Sequence, residues 1–516
     1  MDTKALRRKI LDLAIRGQLV PQDPADEPAS VLLDRIRAEK QKMVKEGKLK
    51  AKDIKNDSII FVGEDSLHYE KFADGSVKCI EDEIPFELPE GWAWARLGTV
   101  FSTVTGDTPS TKDASLYGTD YPFYKPTDLD AGYNVCGAED SVSEKGYLSG
   151  RPLPKFSVLV TCIGATIGKT GYISNAGICN QQINAVLPNS EVLSDYTYFC
   201  MCSQYEQEQI WTNSSATTLP ILNKSKFDNL LFPIPPHEQQ SRIVERIKGL
   251  FFFVEKVQSN QESLKTTVGI AKSKILDLAI RGQLVPQDPN DEPASVLLER
   301  IRAEKEELIR QGKLKRDKKE SVIFRGDDNS YYEKVGGEVQ CIDDNVPFEL
   351  PEGWSFMRLK SAWELISGRD LSPSEYNDES NGIPYITGAS NFENGQISVV
   401  RWTPVPQVFT HEGDLLLTCK GTIGEIALNK FGEAHIARQI MAIRNTYNLN
   451  VAFLSLCIEW SMEEIKQAAK GLIPGISRED ILNLILPVPP VEHQKKIVRC
   501  VQTCSEKLNA IFQALS

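Results

Sequence analysis

The sequence predicts a multidomain α/β (α+β) protein with a coiled coil. Two globular modules are joined by two long antiparallel helical connectors in a pseudo-two-fold, circularly organised arrangement. Three observations carry this expectation. KILDLAIRGQLVPQDPADEPASVLLDRIRAEK (residues 9–40) recurs at 274–305 with only Ala25 exchanged for Asn290 and Asp34 for Glu299. A seam of apolar residues at heptad spacing runs through the middle of the chain. The same seam returns in two pieces, one near each end.

At 516 residues the chain is longer than one core supports, since single cores stop growing near ~250–300 residues. With 41% hydrophobic and 25% charged residues it has the composition of a folded soluble protein. No run of about 18 apolar residues is present to span a membrane. MDTKALRRKILDLAI threads charges through its apolar positions and reads as an amphipathic helix, not a signal peptide. Eleven cysteines without a CxxC pair point to buried thiols in a reducing, cytoplasmic setting. Neither Cys200 with Cys202 nor Cys500 with Cys504 has partners at metal-ligand spacing, so no metal is expected.

Residues 1–17 form the N-terminal part of a split helix, in which Leu6, Ile10 and Leu13 match Ala271, Ile275 and Leu278. Residues 18–85 are a connector: a turn in QLVPQDP, a charged helix starting near DEPAS with Pro28 in its first turn, then a hairpin. Residues 86–236 are the first module, bounded by CIEDEIPFELPEGWAWARL and LFPIPPHEQQSRIVERI. Residues 237–282 are a rod, with Ile243, Ile247, Leu250, Val254, Val257, Leu264, Val268, Ala271, Ile275 and Leu278 on a heptad seam broken only at Gln261. Pro236 and Glu238 suit its start, and Gly282 its stop. Residues 283–347 repeat the connector with Pro293, and 348–490 are the second module, bounded by CIDDNVPFELPEGWSFMRL and ILPVPPVEHQKKIVRCV. Residues 491–516 carry Ile497, Val501, Cys504, Leu508, Ile511 and Leu515, matching the rod's first half. Within the modules, FSVLVTCIG and GDLLLTCKG read as buried strands. Residues 196–210 and 451–469 read as helices.

Catalytic signatures are missing. GATIGKT (164–170) has one residue too few for a phosphate loop, with Ile163 where its first glycine would stand. Its counterpart GTIGEIA replaces the lysine by Glu425, so a turn between strands fits both copies better. There is no HExxH, no GxGxxG opening a helix, and no Asp/Asn-Pro-Pro-aromatic tetrad. His68, His237, His411, His435 and His493 are scattered. No catalytic residue and no cofactor are expected.

Recognition remains. Amides, hydroxyls and cations on turns are what base-edge and phosphate contacts need. In the first module these are Thr105, Asp107, Thr108 and Lys112, then Lys125, Thr127 and Asp128. Thr166 and Lys169, Asn180, Gln181 and Gln182, and finally Thr217, Thr218, Asn223 and Lys224 complete the set. The second module offers Ser367, Arg369, Thr387, Ser390, Lys420, Thr422, Arg438, Gln439 and Ser477 at matching places with different side chains. Equal scaffolds with unequal tips suggest two related ligands read differently. A coiled-coil scaffold whose modules bind protein or carbohydrate is the alternative.

The proline-to-helix junctions, the paired ELPEGW starts, the TIGK and NQQ tips, TTLPILNK and the duplicated connector together resemble the specificity subunit of Type I restriction–modification systems. That resemblance implies two target-recognition domains, each reading one half of a bipartite double-stranded DNA site. It implies helices that set the spacer and dock two methyltransferase subunits, and restriction subunits in the full complex. It also bears on the net charge of −12, which is unusual for a protein that must neutralise phosphates. Methyltransferase subunits closing around the DNA would share that task. Asn180–Gln181 become Ala437–Arg438 in the second module, so residue roles transfer less directly there.

Overall fold

The computed structural model describes residues 2–47, 49–51, 54–215, 219–313, 316, 320–393, 395–447, 449–468 and 475–515. They form two compact units, residues 1–260 and 261–516, whose boundary falls within the helix His237–Ile280. Helices and strands are mixed in each unit, as an α+β chain requires.

In the first unit, the helix Thr3–Ile15 is capped by Asp2, whose carboxylate accepts from the Lys4 and Ala5 N–H groups at 3.0 Å. It ends at Gly17, with φ +65°, where a Cβ would lie 2.4 Å from Pro89. Gly282 repeats this against Pro351, at 2.7 Å with φ +72°. Only glycine suits both the left-handed turn and the close approach, which accounts for the glycine of RGQLVPQDP in both copies. The charged helix Ala29–Lys45 buries Leu32, Leu33 and Ile36. The connector then forms a three-stranded antiparallel meander and not a hairpin: Ser58–Val62, His68–Phe72 and Val77–Cys79. The third strand is exposed throughout, so it lacks the apolar alternation that would mark it in the sequence.

The first module is closed at its neck by Ala93–Arg96 pairing antiparallel with Leu231–Ile234. Inside, Thr103–Thr105, Ile183–Val186, Val158–Thr161 and Thr170–Tyr172 make a four-stranded antiparallel sheet in that order. A smaller sheet joins Ile178–Cys179, Tyr117–Tyr124 and Asp140–Val142. The helix expected over 196–210 is two helices, Ser194–Met201 and Gln204–Asn213. Ser203 breaks it: its hydroxyl accepts from the Glu206 N–H at 3.3 Å and starts a new N-terminus.

The second unit repeats the plan. Its meander is Ser321–Arg325, Tyr331–Val335 and Glu338–Cys341, its neck pairs Ser355–Arg358 with Ile485–Val488, and its helix Val451–Ala468 is continuous. The main sheet orders Trp363–Ser367, Ile440–Asn445, Leu415–Thr418 and Ile426–Leu428.

The helix His237–Ile280 runs 44 residues, about 66 Å at 1.5 Å per residue. Every seam position from Ile243 to Leu278, Gln261 included, is buried or half-buried, while Phe252, Phe253 and Ile270 off the seam are exposed. In the first unit Arg7 donates to Glu255 at 3.1 Å and lies 4.7 Å over the Phe251 ring, so the N-terminal helix runs beside the first part of the long one. In the second unit Lys272 donates to Asn509 of the helix Val491–Leu515 at 2.7 Å. The seam fades outward: Leu6 and Ile511 are exposed.

Candidate nucleic-acid interface

Each module brings four turns and one connecting segment to the same end of its main sheet, and the backbone hydrogen bonds holding them correspond between modules. The Gly106 N–H donates to Ile183 O and that of Gly368 to Ile440 O. Asp107 N–H reaches Cys179 O, and Arg369 N–H reaches Ile436 O. Cys162 bonds to Gln182 O and Cys419 to Gln439 O, while Leu222 returns to Cys162 O and Ile476 to Cys419 O. Asn180 N–H meets Tyr124 O, as Ala437 N–H meets Ile386 O. The glycines are required by close approach. A Cβ at Gly106 would stand 2.0 Å from Asn180 O, and one at Gly368 would stand 2.1 Å from Ala437 O.

GATIGKT and GTIGEIA are hairpin turns: the first links Val158–Thr161 to Thr170–Tyr172, the second Leu415–Thr418 to Ile426–Leu428. A phosphate loop joins a strand to a helix, and neither copy does so.

The candidate side chains divide into those that build the platform and those that stand on it. In the first module Asn180 is buried, accepting from the Gln182 N–H at 3.1 Å and donating to its Oε1 at 2.9 Å. Thr105 donates to Asn184 at 2.7 Å. Asp128 accepts from the N–H groups of Lys125 at 2.7 Å and Glu139 at 3.1 Å, which shapes the segment containing Thr127. Asn223 caps the helix Lys224–Asp228 through the Lys226 N–H. Three cations are paired: Lys125 with Asp140, Lys169 with Asp130 at 2.7 Å, and Lys224 with Asp228 at 2.5 Å. Exposed at the tips are Asp107, Thr108, Lys112, Thr166 and Gln181. Thr108 donates to Gln181 Oε1. Thr217 and Thr218 lie outside the described residues.

In the second module Thr387 donates to Asn391 at 3.0 Å, and Ser477 caps the helix Arg478–Leu482 in a capping box with Asp480. Ser367 accepts from Arg478 at 2.7 Å. Arg369, Ser390, Lys420, Thr422, Arg438 and Gln439 are exposed. Arg438 is held by Asp370, whose carboxylate accepts from its Nε at 2.7 Å and its backbone N–H at 3.1 Å. Sequence reasoning missed Asp370 and Arg478. The signal for Asp370 was available, because SGRD aligned on TGDT puts it opposite Thr108.

Behind the tips lie groups held neutral. Burial pushes the Cys162 and Cys179 thiols up to about 12, and that of Cys419 upward too, so they are inert fillers here. Buried His435 has its pKa lowered by desolvation; its Nε2–H donates to Arg369 O at 2.8 Å, fixing the backbone of the turn that carries Arg369. Among the described residues no group of His, Cys, Asp and Glu could hold a metal ion, and no helix is long and apolar enough to cross a membrane.

The family model "Type I restriction modification DNA specificity domain" matches twice, at residues 89–264 and 351–515. The chain is 26% identical to the Type I restriction enzyme EcoEI specificity subunit of Escherichia coli, over 97% of this chain and 88% of that protein. It is 25% identical to the EcoAI specificity subunit of the same organism, over 98% and 90%. A chain solved in a study of complex assembly and conformational transition of the type I R-M system superposes with a TM-score of 0.60 at 20% identity. That match covers 84% of this chain and 94% of the other.

Proposed function

The chain belongs to the Type I restriction modification DNA specificity family, through two copies of its domain, and from that premise we propose how it reads DNA. It is the sequence-specificity subunit, a non-catalytic component, and the methylation and cleavage chemistry lies in other subunits. The relatives give no support to a scaffold for protein or carbohydrate.

Each module is a target-recognition domain facing one half of a bipartite double-stranded site. The observation that carries this reading is the duplicated platform with different tips. Matching backbone bonds of Gly106, Asp107 and Asn180 in one module and of Gly368, Arg369 and Ala437 in the other fix the turns that carry Asp107, Thr108 and Gln181 and, in their place, Arg369, Asp370 and Arg438. Such a pair of platforms delivers side chains to the same depth of a major groove while changing which base edges they satisfy. Lys125, Lys169 and Lys224 are engaged by carboxylates of their own module, and exposed Lys112, Arg369 and Lys420 reach phosphates or bases.

The helix His237–Ile280 forms one rod, and the N- and C-terminal helices together supply its equivalent. The two lie antiparallel as a coiled coil and set the distance and helical phase between half-sites. Their outer faces dock methyltransferase subunits, two per complex, and restriction subunits join from there, in the cytoplasm. Exchange of residues 86–236 for the corresponding module of a relative tests the reading directly. The methylated sequence, mapped on host DNA, is expected to change in one half-site only. A change in both halves would sink the independence of the modules.

A further inference from the structure

One pair of side chains occupies the same place in both platforms and differs in chemistry. In the first module Thr108 donates to Gln181 Oε1; in the second Asp370 accepts from Arg438 Nε at 2.7 Å. Thr108 corresponds to Asp370 and Gln181 to Arg438 through the shared backbone bonds of Gly106 with Gly368 and of Cys162 with Cys419. All four side chains are exposed, Arg438 at 68% and Asp370 at 45%. Exposed pairs of this kind add little to stability. What they do is orient.

The orientation decides what each tip can recognise. The Thr108 hydroxyl turns the Gln181 amide so that Oε1 keeps a lone pair and Nε2 both its hydrogens for an outside partner. An acceptor beside a donor complements the N6 amino group and N7 of adenine in the major groove. Asp370 engages the Nε–H of Arg438 and leaves the two terminal amino groups as parallel donors, which complement O6 and N7 of guanine. We infer that Gln181 reads an adenine in one half-site and Arg438 a guanine in the other, with Thr108 and Asp370 as their positioning residues. This rests on the proposed reading of the modules as DNA readers.

The test uses the whole chain assembled with its own methyltransferase subunits. Transplanting the first pair into the second module, as Asp370→Thr with Arg438→Gln, is expected to convert one G·C position of one half-site to A·T. The reciprocal Thr108→Asp with Gln181→Arg converts one A·T to G·C in the other half-site. In each case the preference at that position shifts by about tenfold or more, while the spacer and other positions stay fixed. A methylation motif left unchanged by both variants would overturn the inference. A second measurement needs no folded variant. With the unaltered complex, 7-deazaguanine placed at successive guanines of the Arg438 half-site removes the N7 acceptor and must weaken binding about tenfold at one of them. If no guanine responds, Arg438 does not read one. The half-site belonging to each module is assigned beforehand by the exchange of residues 86–236, so failure of the modular reading shows there and failure of the base assignment shows here.

Discussion

At the scale of single residues, the strongest constraints lie at the module necks, away from the candidate tips. Arg96 donates to both oxygens of Glu70 at 3.1 and 2.7 Å, to Glu83 at 2.7 Å and to Asn229 O at 3.1 Å, while Ser58 donates to Glu70 at 2.6 Å. The second unit repeats this with Arg358 on Glu333 at 3.0 and 2.7 Å and on Asn483 O at 2.6 Å, with Ser321 also on Glu333. These bonds fasten each meander to its module neck. Glu70→Ala strips the buried Arg96 of two of its three carboxylate hydrogen bonds and leaves it Glu83, so the loss of unfolding free energy in urea titration should fall toward the lower end of the about 3–5 kcal/mol that a broken buried pair costs. Glu333→Ala should cost less, because its pair is more exposed, 18% and 11% against 8% and 3%. A second residue effect is set by His435. Burial lowers its pKa in the folded state, so the unfolded chain binds the proton more readily and ∂ΔG/∂pH is positive below about 6.5. Stability from the neutral ring is present above that pH and lost as pH falls through the lowered value; buried His493 acts in the same direction. Ile178 holds the matching strand position in the first module, as pairing with Phe123 and Tyr385 shows. Thermal unfolding between pH 7.5 and 5.5 should therefore weaken the second unit more, and His435→Ile should reduce that dependence.

At the scale of elements, the long helix makes its own prediction. Four residues inserted near Asn260 add up to ~6 Å of helix and shift the seam's phase as a stutter does. The tolerated spacer should lengthen, by no more than about two base pairs at 3.4 Å each, with both half-sites unchanged in a methylation map. A changed half-site would mean the rod does more than measure. This helix was the most legible part of the sequence, because its seam repeats over about five heptads and each position turned out covered. The necks were legible from duplicated ELPEGW and Pro-Pro markers. The module interiors were not. Their strands are short, and Ile178–Cys179 pairs in parallel with Phe123 and Tyr124, more than fifty residues earlier, which no local period records. Val77–Cys79 is exposed on every residue, and Ser203 divides a helix whose apolar pattern runs on past it. The candidate site was legible as a set of loops, since both modules place them alike. Which side chains face outward was not: Asn180 and Gln181 are neighbours of similar chemistry, and only the fold sends one inward to hold the turn.

At the scale of the whole molecule, charge and duplication point to a protein built to work inside a complex. A net charge of −12 repels the DNA backbone, and several candidate lysines are already paired with carboxylates within their own module. Base-reading tips supply specificity but little of the salt-dependent affinity that phosphate neutralisation provides. The segment 9–40, kept nearly unchanged at 274–305 beside modules that diverge, suits one kind of partner docking twice, as proposed above. Those partners would then carry the cationic surface. The isolated chain should bind its own site weakly, with a shallow dependence of log K on log salt concentration. Adding methyltransferase subunits should tighten binding and steepen that slope by about 0.9 for each phosphate they neutralise. Fluorescence anisotropy on a labelled duplex across about 50–200 mM salt, with and without those subunits, measures both quantities. A lone chain that matched the complex in affinity and in slope would show that it neutralises the phosphates itself, and the acidic balance would then need another cause.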